Sequence, residues 1–224
     1  MKKDVCYTRF YLSIGGTVVK YNIGLILYFI FAMSTGFVIN QLSVIHSDFS
    51  QIETFVWLSS FLILTFFFKS TREIITPLID FKVLKKPSSY FYIIMTLILS
   101  YTLQTVCLHY EILLDENLVN SYKYSLLIGE DIVGVIDSTL FTPIWEEIFF
   151  RGVLLFLFLK FLKPSMAIML SSAIFSLFHP MYWIITFLSG ILLGVTTYKT
   201  RSLIPSIITH SIWNLYTSKL FLYF

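Results

Sequence analysis

The feature that most constrains this chain is a succession of long runs that carry no charge. Tyr21–Ile39 and Tyr90–Tyr110 contain no Asp, Glu, Lys or Arg at all. A helix crosses the hydrocarbon core of a bilayer with roughly 20 mostly apolar residues. In lipid the backbone must satisfy its own hydrogen bonds, so such runs read as helices. The whole sequence agrees: 57% of its 224 residues are hydrophobic and only 13% are charged, against about 25% charged in a typical soluble domain.

Seven spans follow from this pattern: Tyr21–Ile39, Ile52–Phe68, Tyr90–Tyr110, Pro143–Leu162, Ser165–Phe178, Tyr182–Tyr198 and Leu203–Leu222. The stretch Tyr124–Phe141 is apolar enough to insert but carries Glu130, Asp131 and Asp137. It reads as an eighth span, a re-entrant piece or an interfacial helix. The expected fold is an all-α, polytopic membrane helix bundle of about 7–8 spans. One continuous membrane domain is expected, with residues 1–130 as N-terminal scaffold helices and 131–224 as the functional bundle. Gly190 and Gly194 form a G-x-x-x-G, and Ser165, Ala167, Ser171, Ser172, Ala173 and Ser176 line the preceding helix. Such small residues let helices approach closely.

Basic residues give an orientation. Lys2, Lys3, Arg9 and Lys20 precede the first span, and Lys69, Arg72, Lys82, Lys85 and Lys86 follow the second. By the positive-inside rule both segments are cytoplasmic. Lys160, Lys163, Lys199 and Arg201 are cytoplasmic if Tyr124–Phe141 does not cross, and external if it does. The first span has no cleavage site after it, so it reads as a retained helix rather than a signal peptide. Cys6 and Cys107 form no disulfide or zinc pattern. No basic tract interleaved with aromatics suggests nucleic-acid binding.

Three charges sit where they are least expected, in "PIWEEIFFRGVL" from Pro143 to Leu154. An ionisable group at mid-membrane costs at least ~2.5 kcal/mol, so it persists where it pairs, faces a cavity or does chemistry. Glu147 and Arg151 are spaced i, i+4 and can pair. Glu146 points about 100° away. Thr142 suits an N-cap and Pro143 the first helical position. That start would put Glu146 at the edge of a first turn, in the favourable field of the helix dipole.

Four histidines complete the inventory. His46 and His109 lie in or beside loops and read as interfacial residues without a role. His179 ends one apolar helix before Pro180, and His210 sits in another with Asn214 at i+4 on the same face. Each would need a partner in hydrocarbon, and convergence of the three helices would supply it. A carboxylate, two imidazoles, an amide and a guanidinium fit amide hydrolysis. Either Glu146 deprotonates a water while imidazole and amide donors hold the oxyanion, or a divalent metal such as zinc, held by Glu146, His179 and His210, activates the water. Spacing alone does not choose between them.

The pattern Glu146-Glu147-x-x-x-Arg151, Phe175-x-x-x-His179 and His210-x-x-x-Asn214 resembles the three-motif signature of the CPBP family, the CAAX prenyl protease 2-like and bacteriocin-processing intramembrane proteases also called Abi. The likeness covers about Leu140–Tyr216, extends to the flanking "EEIFFRGVL" and "SLIPSIITHSIWN", and departs from the signature at no motif position. The short loops resemble the bacterial members.

The resemblance implies a membrane endopeptidase acting on a membrane-associated peptide or protein. Glu146 would be the catalytic base, and His179, His210 and Asn214 would orient the water or stabilise the oxyanion. Glu147 and Arg151 would support the site. Both metal-dependent and metal-free mechanisms are argued for the family. Its bacterial members are linked to peptide processing, bacteriocin self-immunity and surface-protein display. A non-catalytic membrane partner is therefore the competing reading. A transporter or proton relay is a third, against which stands the absence of repeat symmetry. In the eukaryotic relatives the site opens to the cytoplasm, whereas the charge reading without an extra crossing turns Pro143 and His179 outward.

Overall fold

Pro87, Pro164 and Pro205 each lie in the first turn of a helix, where a missing N–H costs no hydrogen bond. The structure is a computed structural model and describes residues 18–46, 49, 52–112, 116 and 132–218. Its elements are α1 (Val18–Ile45), α2 (Glu53–Phe67), α3 (Lys69–Ile75), α4 (Pro87–His109), α5 (residues 132–158), α6 (Pro164–Leu177), α7 (Trp183–Thr200) and α8 (Ile204–Thr217), with short 3₁₀ turns between some of them. No strand occurs among the described residues. Lys2, Lys3, Cys6, Arg9, Glu130, Asp131 and the end of the last expected span fall outside them.

Among the described residues, three helical segments are long and apolar enough to cross a membrane: Ile23–Ile45, Pro87–His109 and Pro180–Thr200. A fourth is added if Glu53–Phe67 and its bent continuation Lys69–Lys85 form one span. Their exposed faces carry large apolar side chains such as Ile26, Phe37, Phe67, Ile94 and Ile98, as lipid contact requires.

The chain divides into two compact units, Met1–Ile74 and Ile75–Phe224. In the first, α1 packs on α2. Tyr28 is fully buried there; its hydroxyl lies 3.2 Å from Thr65 Oγ1 and its ring meets Phe61 and Phe68.

The second unit holds the unexpected residues. α7 packs against both α6 and α4, and α8 against α4 and α7. The glycines act as the sequence suggests. A Cβ on Gly194 would lie 3.0 Å from Ile168 Cγ2, and one on Gly190 would lie 3.1 Å from Ser172 Cβ. The hydroxyls of Thr96 and Thr196 meet at 2.9 Å and tie α4 to α7. α7 ends at Arg201, whose left-handed backbone (φ 60°) turns the chain into α8. That turn is fixed to the loop before α4: Leu203 N–H donates to Leu78 O at 2.9 Å, and Ser202 Oγ to Asp80 O at 3.0 Å.

One expectation fails. No helix starts at Thr142. Thr142 has helical dihedrals, and α5 runs through it and through Pro143. The described half of Tyr124–Phe141 and the first part of Pro143–Leu162 are one element. The helix passes the proline by widening: residues Asp137–Phe141 form a π turn, and a second covers Glu147–Leu154. Proline removes an N–H and crowds the preceding turn, and a wider turn relieves the crowding. Glu146 therefore lies in mid-helix, and the field of a helix N-terminus does not reach it.

Candidate active site

The site is built on α5 between its two widened turns. π turns inside α-helices are frequent at functional sites, because they re-aim side chains that regular spacing would disperse. Glu146 precedes the second widened turn and Glu147 opens it. Both are buried, at 5% and 0% exposure, as are Arg151 at 1% and His210 at 7%.

Glu147 is the anchor. Its Oε1 accepts from Arg151 Nη1 at 2.9 Å and from His210 Nδ1 at 2.9 Å. The expected i, i+4 pair is thus formed, and α8 is joined to it. Arg151 is held further by α6 and α7. Its guanidinium stacks 4.2 Å above the Phe175 ring, and Nη2 lies 3.5 Å from Gly190 O. A Cβ at position 190 would sit 3.3 Å from that Nη2, so glycine makes room for the cation as well as for the helix. A buried charge needs this density of partners, since an uncompensated one is costly.

Glu146 faces the other way, toward both histidines. His210 Nε2 is 3.7 Å from Oε2, and His179 Nε2 is 4.0 Å from Oε1. His179 Nδ1 lies 3.1 Å from Phe175 O. A carbonyl only accepts, so this nitrogen is the donor. The ionised Glu147 likewise makes His210 Nδ1 the donor. Both rings, when neutral, thus turn a bare Nε2 toward the Glu146 carboxylate. Acceptors that face one another match a molecule with hydrogens to give, and water is the smallest. Glu146 Oε2 is buried without a hydrogen-bond partner.

A metal ion suits the same donor types, with each Nδ1 braced by an acceptor in the manner of zinc-bound histidines. The placement differs: among the described residues no group of three His, Cys, Asp or Glu is arranged to hold a metal ion. The two imidazoles approach different oxygens of the Glu146 carboxylate.

Asn214 is on the expected face of α8, but its hydrogen bond goes elsewhere: Nδ2 donates to Ser138 O at 2.7 Å. Phe175, Ser138 and Gly190 enter the site without having been singled out for it. Phe175 stands in the second motif, and Gly190 had a packing explanation. Nothing in the sequence marks the Ser138 carbonyl. His46 and His109 do not join the cluster; His46 is exposed and the His109 ring meets Tyr110 edge to face.

Residues 129–216 match a family model described as type II CAAX prenyl endopeptidase Rce1-like. The likeness to that family covers this part of the chain. The matched segment contains all of Glu146, Glu147, Arg151, His179, His210 and Asn214. Searches among curated proteins and among solved structures gave no match. At this level the likeness is to a protease family, and the apolar helices fit a membrane protein.

Proposed function

We propose that the chain is an intramembrane endopeptidase of about seven spans, in which Glu146 activates a water against a peptide carbonyl. The observation that carries this reading is the convergence of two imidazole Nε2 atoms, 3.7 Å and 4.0 Å away, on the carboxylate of Glu146. Water held there gives one hydrogen to Glu146 and the other to a bare Nε2. Its oxygen then attacks the substrate carbonyl carbon as Glu146 takes the first proton, as general bases do. The other ring, once it has taken a proton from solvent at its Nε2, donates from there to the oxyanion. Glu146 returns its proton to the leaving amine as the C–N bond breaks. Glu147 and Arg151 keep His210 in place. In this scheme no step passes through a metal. The substrate is a peptide or protein segment in the membrane.

The fold also supports an orientation. The bonds from Leu203 and Ser202 to Leu78 and Asp80 bring Lys82, Lys85 and Lys86 to the same side as Lys199 and Arg201. An even number of crossings must separate them, and among the described elements α4, α5, α6 and α7 supply four when α5 crosses once. All these basic residues are then cytoplasmic, together with Lys160, Lys163 and the N-terminus, as the positive-inside rule asks. Labelling of single cysteines at Ser165 and Thr200 from the two sides tests it. Both sites labelled from the cytoplasm is the expected result, and external labelling of either overturns the assignment.

The catalytic reading is tested by comparing cells that carry the wild type with cells that carry Glu146→Gln at matched membrane levels. Peptide ends in membranes and medium are catalogued by mass spectrometry. Ends present only with the wild type are expected. Identical catalogues, with any phenotype retained, would mean a non-catalytic membrane partner.

A further inference from the structure

Ser202 and Asp80 stand 122 positions apart, yet Ser202 Oγ donates to Asp80 O at 3.0 Å, and Leu203 N–H donates to Leu78 O at 2.9 Å. These bonds place the turn between α7 and α8 beside the 3₁₀ turn Phe81–Lys85, which precedes α4. Both α4 and α8 pack against that 3₁₀ turn. Each loop is held in shape. Val83 is buried, its carbonyl accepts from Ser89 Oγ at 2.7 Å, and Asp80 Oδ1 accepts from Lys82 N–H at 2.9 Å. In the other loop Thr200 Oγ1 donates to Ser202 O at 3.2 Å, and the Arg201 guanidinium lies 4.6 Å over the Tyr198 ring.

What the fold gathers here is positive charge. Lys82, Lys85 and Lys86 from one loop and Lys199 and Arg201 from the other are all exposed. Asp80 is the only carboxylate in residues 76–87 and 198–204. Five cations held together against one acid repel one another and favour a shared anion. Their level in the membrane selects which anion. Pro87–His109 and Pro180–Thr200 are each long and apolar enough to cross a bilayer. The two loops sit where the first begins and the second ends, which is headgroup depth. Phe81, 65% exposed, and the exposed Ile79 stand among the lysines. They suit the acyl boundary beneath a headgroup, and a soluble anion would not need them. Lysine stems lie along such apolar surface while their ammonium groups stay in the polar layer.

We propose that the two loops form one binding site for the phosphate headgroup of an anionic phospholipid, shared between Lys82, Lys85 and Lys86 on one side and Lys199 and Arg201 on the other. A headgroup held by both loops adds to the bonds from Ser202 and Leu203 at the start of α8, the helix that carries His210. The proposal stands whether or not the chain is a protease.

The test is thermal unfolding of the purified full-length protein in zwitterionic micelles, with phosphatidylglycerol or phosphatidylcholine added stepwise. A ligand of the folded state raises the melting temperature as it binds. Phosphatidylglycerol is expected to do so, and phosphatidylcholine is not. A basic residue near an anionic surface contributes about fivefold in affinity. Lys82→Gln/Lys85→Gln/Lys86→Gln and, separately, Lys199→Gln/Arg201→Gln are therefore each expected to raise the phosphatidylglycerol concentration needed by about tenfold or more. Lys82→Arg/Lys85→Arg/Lys86→Arg keeps the charge and is expected to respond as the wild type does. An equal response of the wild type to both lipids overturns the proposal, and so does a phosphatidylglycerol response that either glutamine variant leaves unchanged. Loss of the response in the arginine variant also overturns it, because packing rather than charge is then at work. Inorganic phosphate that reproduces the shift without the charged lipid overturns it too, since the anion is then a soluble one.

Discussion

Replacing Arg151 by methionine should be among the most damaging single changes in the second unit. The guanidinium is 1% exposed. It donates to Glu147 Oε1 at 2.9 Å and stacks 4.2 Å from the Phe175 ring centroid. Methionine fills a similar volume, so little of the loss comes from a cavity. Most of it comes from the carboxylate of Glu147, left buried without its cation. Breaking a buried pair from one side costs about 3–5 kcal/mol, and a desolvated cation–π contact adds about 2 kcal/mol. A specific consequence follows. Glu147→Gln removes the stranded charge yet keeps an oxygen to accept from His210 Nδ1. The double variant Glu147→Gln/Arg151→Met should therefore recover at least half of the single variant's loss. Denaturant unfolding of the purified protein in mixed micelles measures all three. Losses that simply add would refute this, since they would show that the pair is not energetically linked.

Other outcomes follow from the same geometry. Gly190→Ala pushes a methyl to 3.1 Å from Ser172 Cβ and 3.3 Å from Arg151 Nη2, so it should cost about 1–3 kcal/mol by overpacking; unchanged unfolding would mean that α6 and α7 have slack. Thr96→Val and Thr196→Val break the 2.9 Å hydroxyl contact between α4 and α7 and should each cost about 0.6 kcal/mol, with the double variant losing less than the sum. Cleavage should survive chelation with EDTA, because the cluster around Glu146 is not arranged to hold a metal ion; loss that added zinc restores would put a metal into the mechanism.

Much of the site was legible because hydrocarbon makes polar residues conspicuous. Glu146, Glu147 and Arg151 on one helix, with His179 and His210 on two others, had to find one another, and they do so within 4.0 Å. The i, i+4 spacing gave the Glu147–Arg151 pair outright, and the small residues of α6 and α7 gave their close packing. The course of α5 was not legible. Thr142-Pro143 is a common way to begin a helix, and local chemistry cannot tell a first turn from a widened turn held open by another element. The contact from Asn214 to Ser138, which joins α8 to this helix, links residues 76 positions apart. Phe175 as a platform for Arg151 was hidden for a similar reason. An aromatic on an apolar helix is ordinarily packing, and only the fold shows which ring meets the guanidinium.

If a water held by Glu146 is the nucleophile, its oxygen must end in the product, and oxygen labelling reads this most directly. Purified wild-type protein and Glu146→Gln are reconstituted into vesicles and mixed with membrane extract from cells lacking the chain. The reaction runs in water enriched in ¹⁸O, and new carboxyl ends are read by mass spectrometry. New ends that carry ¹⁸O are expected with the wild type and none with Glu146→Gln. The same labelled ends with both proteins, or none with either, would contradict the mechanism.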